Sequence, residues 1–191
     1  EDTAKEISDF IAKQYSDYEI HCAQEGFDMK EVEVVELSEK IDAPVGCSMM
    51  GLSAIPSDHK NALGMQGMHG HYASSMAQNE ADLILAVGVR FSDRATGNVS
   101  KFAQKSKIIQ LDPDFSEINK NIRVEVGIVG DVEDSFRRIA AGLTKQSHPE
   151  WNDLVNTFKR DEASYMDKAA RLAGDIITPK QVFDVINAEK P

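Results

Sequence analysis

The 191-residue sequence has few cysteines and no long apolar run. Cys22 and Cys47 are its two cysteines, and they form neither a CxxC pair nor a zinc-type spacing. This favours two buried thiols over a disulfide framework or a structural zinc site. No apolar stretch approaches the roughly 20 residues that cross a bilayer, and the polar N-terminus has no signal-peptide pattern. We therefore expect a cytoplasmic protein that does not enter membranes.

Basic residues are scarce as well. The chain has 21 Lys and Arg against 32 Asp and Glu, which gives a formal net charge of −11. So acidic a chain is a poor candidate for binding nucleic acid or an anionic membrane surface. A hydrophobic share of 41% and a charged share of 28% are ordinary for a folded protein and exclude disorder. A local basic pocket can still hold a phosphate group.

Short apolar runs alternate with helical patterns along the chain. Strands are predicted over 18–23, 43–48, 81–88, 107–112 and 124–130. Helices are predicted over 30–41, 71–80, 116–120 and 131–143, with Asp131 as an N-cap. The glycine-containing segment 51–70 is predicted to be mainly loop. Strands that alternate with helices indicate βαβ units and an α/β layer fold.

The chain changes character after Lys145. Residues 150–172 have a polar helical pattern, and a further helix follows with Thr178 as N-cap and Pro179 in its first position. We divide the chain into an N-terminal helical segment (1–17), an α/β domain (18–145) and a helical linker (146–191). Because no methionine starts the chain and the last helix has no following partner, we expect a piece of a longer polypeptide.

Four loops at predicted strand ends carry the candidate site, because ligands of open α/β sheets bind beyond the carboxyl ends of the strands. In the loop 64–70, glycine at every third position lets the backbone approach a ligand, although a tight irregular turn explains the spacing equally well. In the loop 88–97, Arg90 and Arg94 flank Asp93. The flanking glycines favour phosphate binding by these arginines over surface ion pairs with nearby acids.

The other two loops complete a dinucleotide cradle. Asp112 ends a strand, where an acid commonly accepts hydrogen bonds from ribose hydroxyls. Gly130, Asp131 and Val132 start a helix whose backbone can hold an adenine edge or a ribose. A metal site built from Asp58, His59, His69 and His71 is a weaker alternative, because its spacing matches no reliable ligand pattern.

Several segments together resemble the central domain of acetolactate synthase (acetohydroxyacid synthase) catalytic large subunits. The most specific are LGMQGMHG at 63–70 and GVRFSDRATGN at 88–98. Residues 50–52, 56–59, 79–83, 107–121 and 129–131 extend the similarity, and Trp151 with 178–182 resembles the family's linker into its last domain.

This resemblance implies a thiamine-diphosphate-dependent enzyme of three α/β domains that decarboxylates pyruvate and condenses the fragment with a second 2-keto acid. The chain would be its central domain, a three-layer Rossmann-like (DHS-like NAD/FAD-binding) fold of about six parallel strands. That domain holds FAD, which the net reaction does not need for redox chemistry. The implied cofactor contacts are Gly67, Met68 and His69 beside the flavin or its ribityl chain, Gly88 and Val89 along the cofactor, Arg90 and Arg94 at the diphosphate, Asp112 at a ribose, and Gly130, Asp131 and Val132 at the adenosine, with Asp93 as a further cofactor contact.

The sequence departs from the family pattern at Gln24-Glu25-Gly26, where a triple glycine is usual, and at Gln66, where an apolar residue is usual. It also has no Gly-Asp-Gly motif for thiamine diphosphate and Mg²⁺. We therefore expect no catalysis and only weak FAD binding by this chain alone. Its expected partners are the other two domains, further copies of the enzyme in a dimer or tetramer, and a regulatory small subunit. The alternatives are another thiamine-diphosphate carboligase or oxidase, and a non-catalytic dinucleotide- or CoA-binding module.

Overall fold

A computed structural model describes residues 18–22, 31–174 and 176–189. The predicted helical segment 1–17 and the variant turn Gln24-Glu25-Gly26 lie outside the described residues. No described helix has the length and apolarity needed to cross a membrane.

Six strands form one parallel sheet in the order β3-β2-β1-β4-β5-β6. The strands are β1 (Tyr18–Cys22), β2 (Val45–Cys47), β3 (Ala62–Met65), β4 (Leu83–Val87), β5 (Lys107–Asp112) and β6 (Val126–Val129). The helices are α1 (Glu31–Ile41), α2 (Tyr72–Glu80), α3 (Asp93–Thr96), α4 (Val132–Gly142), α5 (Pro149–Leu172) and α6 (Pro179–Ala188).

Helices cover both faces of this sheet. Every residue of β4 is buried, as expected for a central strand of a parallel sheet. Leu85 packs in one core with α1 and α4, whereas Ala86 packs in a second core with α2 and α5. Because successive side chains of a strand point to opposite faces, the two cores lie on opposite sides of the sheet. The predicted three-layer α/β fold is confirmed.

The segment 51–70 is mainly loop, as predicted, but it also includes two short elements that the sequence pattern did not indicate. The segment contains the end of a 3₁₀ helix (Met49–Ala54) and the edge strand β3. A strand of four residues is too short to show alternation, and Gly64 has a positive φ of 74°. The pairing of β3 with β2 also shifts register at Val45 and Gly46. The predicted helix at 116–120 is instead a 3₁₀ turn, Phe115–Glu117.

Helix ends follow the sequence signals. The Asp131 carboxylate accepts a hydrogen bond from the Asp134 N–H at 2.7 Å and so caps α4. Thr178 and Gln181 form a reciprocal capping box at the start of α6, with Pro179 in its first turn. Both predicted N-caps are confirmed.

The first half of α5 packs on the α/β unit. Trp151, Val155 and Phe158 are buried, and the first two belong to the second core. Tyr165, in the second half, is 72% exposed. The segment predicted as a linker therefore begins with a helix that contributes core residues to the domain.

Candidate functional site

The candidate residues lie at one edge of the sheet, because parallel strands all end on the same side. The chain runs outward from β1 to β2 and β3, and from β4 to β5 and β6 in the other direction. This reversal between β1 and β4 creates a crevice at the carboxyl ends of the strands, where open α/β sheets bind ligands. The loops after β3, β4, β5 and β6 converge on this edge.

Backbone hydrogen bonds hold both ends of the loop after β3. The Gln66 N–H donates to the Cys47 carbonyl at 2.8 Å, and the His71 N–H donates to the Met65 carbonyl at 2.8 Å. The Gln66 side chain is buried and occupies the space in which a Cβ of Gly46 would lie. It therefore turns inward.

The loop after β3 also contacts the loop after β4. The Met68 N–H donates to the Arg94 carbonyl at 2.9 Å. Gly67 has a φ of +96°, and a Cβ there would lie 2.7 Å from the same carbonyl oxygen. The structure thus brings Gly67, Met68 and Arg94 together, although β2 and β1 separate their strands. Met68 and His69 both have exposed side chains.

Two carboxamides fix the turn that follows β4. The Gln110 Nε2 donates to the Val89 carbonyl at 2.9 Å, and the Asn121 Nδ2 donates to the Arg90 carbonyl at 3.2 Å. Gly88 has a φ of +63°, and its N–H bonds the Leu111 carbonyl. The Val89 side chain is only 2% exposed and packs in the second core, so Val89 offers a ligand its backbone alone.

The two arginines of this loop are exposed at the sheet edge. Within the part of the chain that the structure describes, the Arg94 guanidinium makes no ion pair. The Asp93 carboxylate instead accepts a hydrogen bond from the Arg94 backbone N–H at 2.9 Å, at the start of α3. A pairing of Arg94 with Asp93 thus does not account for this arginine.

Arg94 also lines a cavity of about 390 Å³ beside α2. Met68, Gln78, Lys101 and Phe102 are among the other lining residues. The volume falls in the range of roughly 300–1,000 Å³ that is common for small-molecule sites.

Asp112 is buried at the end of β5. Its Oδ1 accepts a hydrogen bond from the Asp114 N–H at 2.9 Å. Burial raises the pKa of Asp112, and the nearby charge of Glu117 adds to this, whereas the Asp114 N–H and the charge of Arg90 oppose it. Hydrogen bonds from Ser116 lower the pKa of Asp114. Asp112 is therefore a desolvated acid whose negative charge is only partly compensated.

The loop after β6 lies beside β5. The Gly130 N–H approaches the Asp112 carbonyl at 3.4 Å. A Cβ at Gly130 would meet only the Ser135 Oγ, at 3.7 Å, so there is open space at this backbone. The Val132 side chain is 2% exposed in the first core, so a ligand would contact Val132 through its backbone.

Two of the three histidines considered as metal ligands have carboxylate contacts of their own. His59 lies 3.3 Å from a carboxylate oxygen of Glu39, and His71 lies 2.8 Å from one of Glu162. Over residues 18–22, 31–174 and 176–189, no group of three or more His, Cys, Asp or Glu side chains could hold a metal ion.

Three residues that shape this edge were not predicted as functional from the sequence: Gln110, Asn121 and Glu162. Gln110 stands inside an otherwise apolar strand, which is a readable signal for a buried polar contact. Asn121 and Glu162 lie in polar segments and act through tertiary contacts, so no local pattern distinguishes them.

Comparisons with known proteins agree with this architecture. Residues 25–139 match the family model described as "Thiamine pyrophosphate enzyme, central domain". A probable acetolactate synthase large subunit of Methanocaldococcus jannaschii is 39% identical over 138 residues, which cover 71% of this chain and 23% of that protein. The acetolactate synthase large subunit of Haemophilus influenzae is 34% identical over 160 residues, with coverage of 81% and 27%. The isozyme 3 large subunit of Escherichia coli is 41% identical over 112 residues, with coverage of 59% and 20%.

The chain thus spans only about a quarter of the length of these curated relatives. The family match covers more than half of the chain and includes β2 to β6 with the loops that follow them. On the combined grounds of fold and match, this chain belongs to the family of thiamine pyrophosphate enzyme central domains.

Proposed function

We propose that this chain is the FAD-holding central domain of an acetolactate synthase. One observation carries the proposal, and it concerns Arg94. Its guanidinium is exposed and makes no ion pair with any described residue, while its backbone carbonyl accepts a hydrogen bond from Met68 and lies against Gly67 in the glycine loop. The chain as a whole is strongly acidic, so a cation at this edge gives a local attraction for an anion.

The residues present fit an FAD molecule laid along the strand ends. Arg90 and Arg94 offer guanidinium groups, which match diphosphate oxygens in charge and geometry. Gly130 leaves open space beside its backbone, and Asp112 supplies a carboxylate that can accept from a ribose hydroxyl. Along the strand ends, the two arginines, Asp112 and Gly130 come in the same order as the diphosphate, ribose and adenine of a dinucleotide.

Each candidate residue then has a defined role. Arg90 and Arg94 bind the diphosphate, with Asp93 holding the start of α3 in place. Gly67, Met68 and His69 lie beside the flavin or its ribityl chain, and Gly88 and Val89 run along the cofactor. Asp112 accepts from a ribose hydroxyl. Gly130, Asp131 and Val132 present backbone groups to the adenosine. When bound, FAD would supply a structural wall at the domain boundary rather than net redox chemistry.

The complete enzyme would condense two pyruvates, or pyruvate and 2-ketobutyrate, with loss of CO₂ in branched-chain amino acid biosynthesis. Thiamine diphosphate and Mg²⁺ would be held by the other two domains of the polypeptide. In this proposal residues 18–145 form the central domain and residues 146–191 lead into the last domain. The assembled enzyme is a cytoplasmic homo-oligomer that also binds a regulatory small subunit.

A flavin titration of the whole chain tests the proposal. We expect the chain to bind FAD weakly, because a lone central domain leaves the flavin partly exposed, and Arg94→Ala to weaken this binding further by roughly 1.5–3 kcal/mol, or about 10- to 150-fold, the scale of charge-assisted hydrogen bonds. Binding should also weaken at high salt, because salt screens an exposed charge pair.

Arg123 provides the matched control. It is an exposed arginine that is not among the candidate cofactor contacts, so Arg123→Ala removes the same charge without removing one of those contacts. If both variants lower the FAD affinity measured by flavin fluorescence to the same extent, Arg94 contributes only its charge and not a specific contact. No binding of FAD by the wild-type chain would refute the proposal for this chain.

A further inference from the structure

The linker helix α5 reaches the cofactor loop through one carboxylate. Glu162 Oε1 lies 2.8 Å from His71 Nδ1, and Glu162 Oε2 accepts a hydrogen bond from the Ala73 N–H at 3.0 Å. The Glu162 side chain is 23% exposed, so both contacts are partly shielded from water.

These contacts replace a missing helix cap. His71 occupies the N-cap position of α2, but its side chain makes no capping hydrogen bond. The first N–H groups of a helix need an acceptor and favour a negative charge. Glu162 meets both needs from a different helix, 89 residues further along the chain.

His71 is also the end of the loop after β3. Its N–H bonds the Met65 carbonyl, and its ring lies over Gly64, where a Cβ would come within 2.5 Å of His71 Cδ2. Residues 66–70, which include Gly67, Met68 and His69, lie between Met65 and His71. Fixing His71 therefore fixes the end of the segment that faces the proposed flavin position.

We infer that Glu162 is a positioning residue for the cofactor loop, acting through His71 and the N-terminus of α2. The inference rests on the proposed function for its ligand, but the ordering of the loop can be measured without that ligand. It makes α5 a working part of the binding site, in addition to its contribution to the core.

The negative charge of Glu162 allows two explanations of its effect on FAD binding to be distinguished. FAD is anionic, so removal of a nearby negative charge should by itself strengthen binding slightly. A loss of loop order should weaken binding. The two explanations for any effect of Glu162 therefore predict opposite directions.

We would compare Glu162→Ala and Glu162→Gln in the whole chain, with Asp161→Asn as the matched control. Asp161 is exposed on the same helix, next to Glu162, and its side chain makes no hydrogen bond or ion pair with the described residues, so its variant changes charge without removing a contact. Glutamine keeps an oxygen acceptor for Ala73 and an amide donor for a neutral His71 ring. Two readouts are used: hydrogen exchange without FAD, and an FAD titration.

Glu162→Ala should speed exchange at the amides of Gln66, Met68 and Gly70, none of which bonds Glu162, and should weaken FAD binding about tenfold. Glu162→Gln should keep the exchange rates and the FAD affinity close to those of the wild type. Asp161→Asn should change neither quantity by more than about twofold. Unchanged exchange in Glu162→Ala, or FAD binding that is equal or tighter, would overturn the inference. If the wild-type chain binds no FAD, the proposed function fails, and exchange alone decides whether Glu162 orders the loop.

Discussion

Gly67 occupies a backbone position that only glycine fits without strain. Its φ is +96°, and an added Cβ would lie 2.7 Å from the Arg94 carbonyl oxygen, a backbone atom that cannot swing away. We expect Gly67→Ala to lower the free energy of unfolding by about 1–3 kcal/mol, as measured by urea denaturation.

Gly130→Ala is the control for that substitution. Gly130 belongs to the same sheet edge, but its added Cβ would meet only the Ser135 Oγ at 3.7 Å, an ordinary contact. Its effect on unfolding should stay below about 1 kcal/mol. Equal effects at both glycines would mean that the close contact of the two loops does not constrain Gly67.

Asp112 couples stability to pH. Burial raises its pKa in the folded chain, so the folded state binds this proton more tightly than the unfolded state. The ionised group therefore costs stability above its raised pKa, and this cost disappears as the pH falls toward the ordinary pKa of about 3.9. In the Asp112→Asn variant, the amide oxygen of the new side chain could still accept from the Asp114 N–H.

Asp112→Asn should therefore stabilise the chain at pH 7 and lose this advantage progressively toward pH 4, as followed by urea denaturation across that range. The same variant should weaken FAD binding, because a neutral amide accepts a ribose hydroxyl less strongly than a carboxylate. A variant less stable than the wild type at pH 7 would mean that the Asp112 charge is well compensated in the fold.

At the scale of elements, α5 is the helix whose role the sequence describes least well. Its polar pattern suggests a linker, but Trp151 is only 2% exposed in the second core. We expect Trp151→Ala to lower the free energy of unfolding by about 3–5 kcal/mol. Tyr165 on the same helix is 72% exposed, so Tyr165→Ala should change it by less than about 0.5 kcal/mol. Similar melting temperatures for the two variants would mean that Trp151 does not stabilise the domain and that α5 is only a linker.

Strand β3 illustrates why some elements escape sequence reasoning. Its four residues lie at the edge of the sheet, and they are recognisable as a strand only because β2 supplies hydrogen-bond partners. Helices α1, α2 and α4 are longer and have their own periodicity or caps, so the predictions place them within one residue of their observed start.

At the scale of the whole molecule, the chain is expected to be catalytically silent. Purified alone, with pyruvate, thiamine diphosphate, Mg²⁺ and FAD added, it should form no acetolactate, because its sequence has no Gly-Asp-Gly motif to hold the magnesium and thiamine diphosphate. A colorimetric acetoin assay measures this, with an intact acetolactate synthase as the positive control. Product above background would contradict the assignment of this chain to a cofactor-holding domain.

Local sequence was enough to establish the α/β class, the helix caps and the loops that carry the candidate residues. These features depend on short-range chemistry: buried apolar runs, capping side chains and glycines at turns. The predicted positions of Gly67, Arg94, Asp112 and Gly130 all fall on one sheet edge, because parallel strands end on the same side.

How these loops meet became visible only in the folded chain. The fold joins Met68 to Arg94 across two intervening strands, turns Val89 and Val132 into the cores, and brings Glu162 to the start of α2. Contacts of this kind join residues far apart in the chain, and they depend on strand order and helix packing rather than on any local pattern. That is why the sequence could name the loops of the site but could not predict which side chains hold them in place.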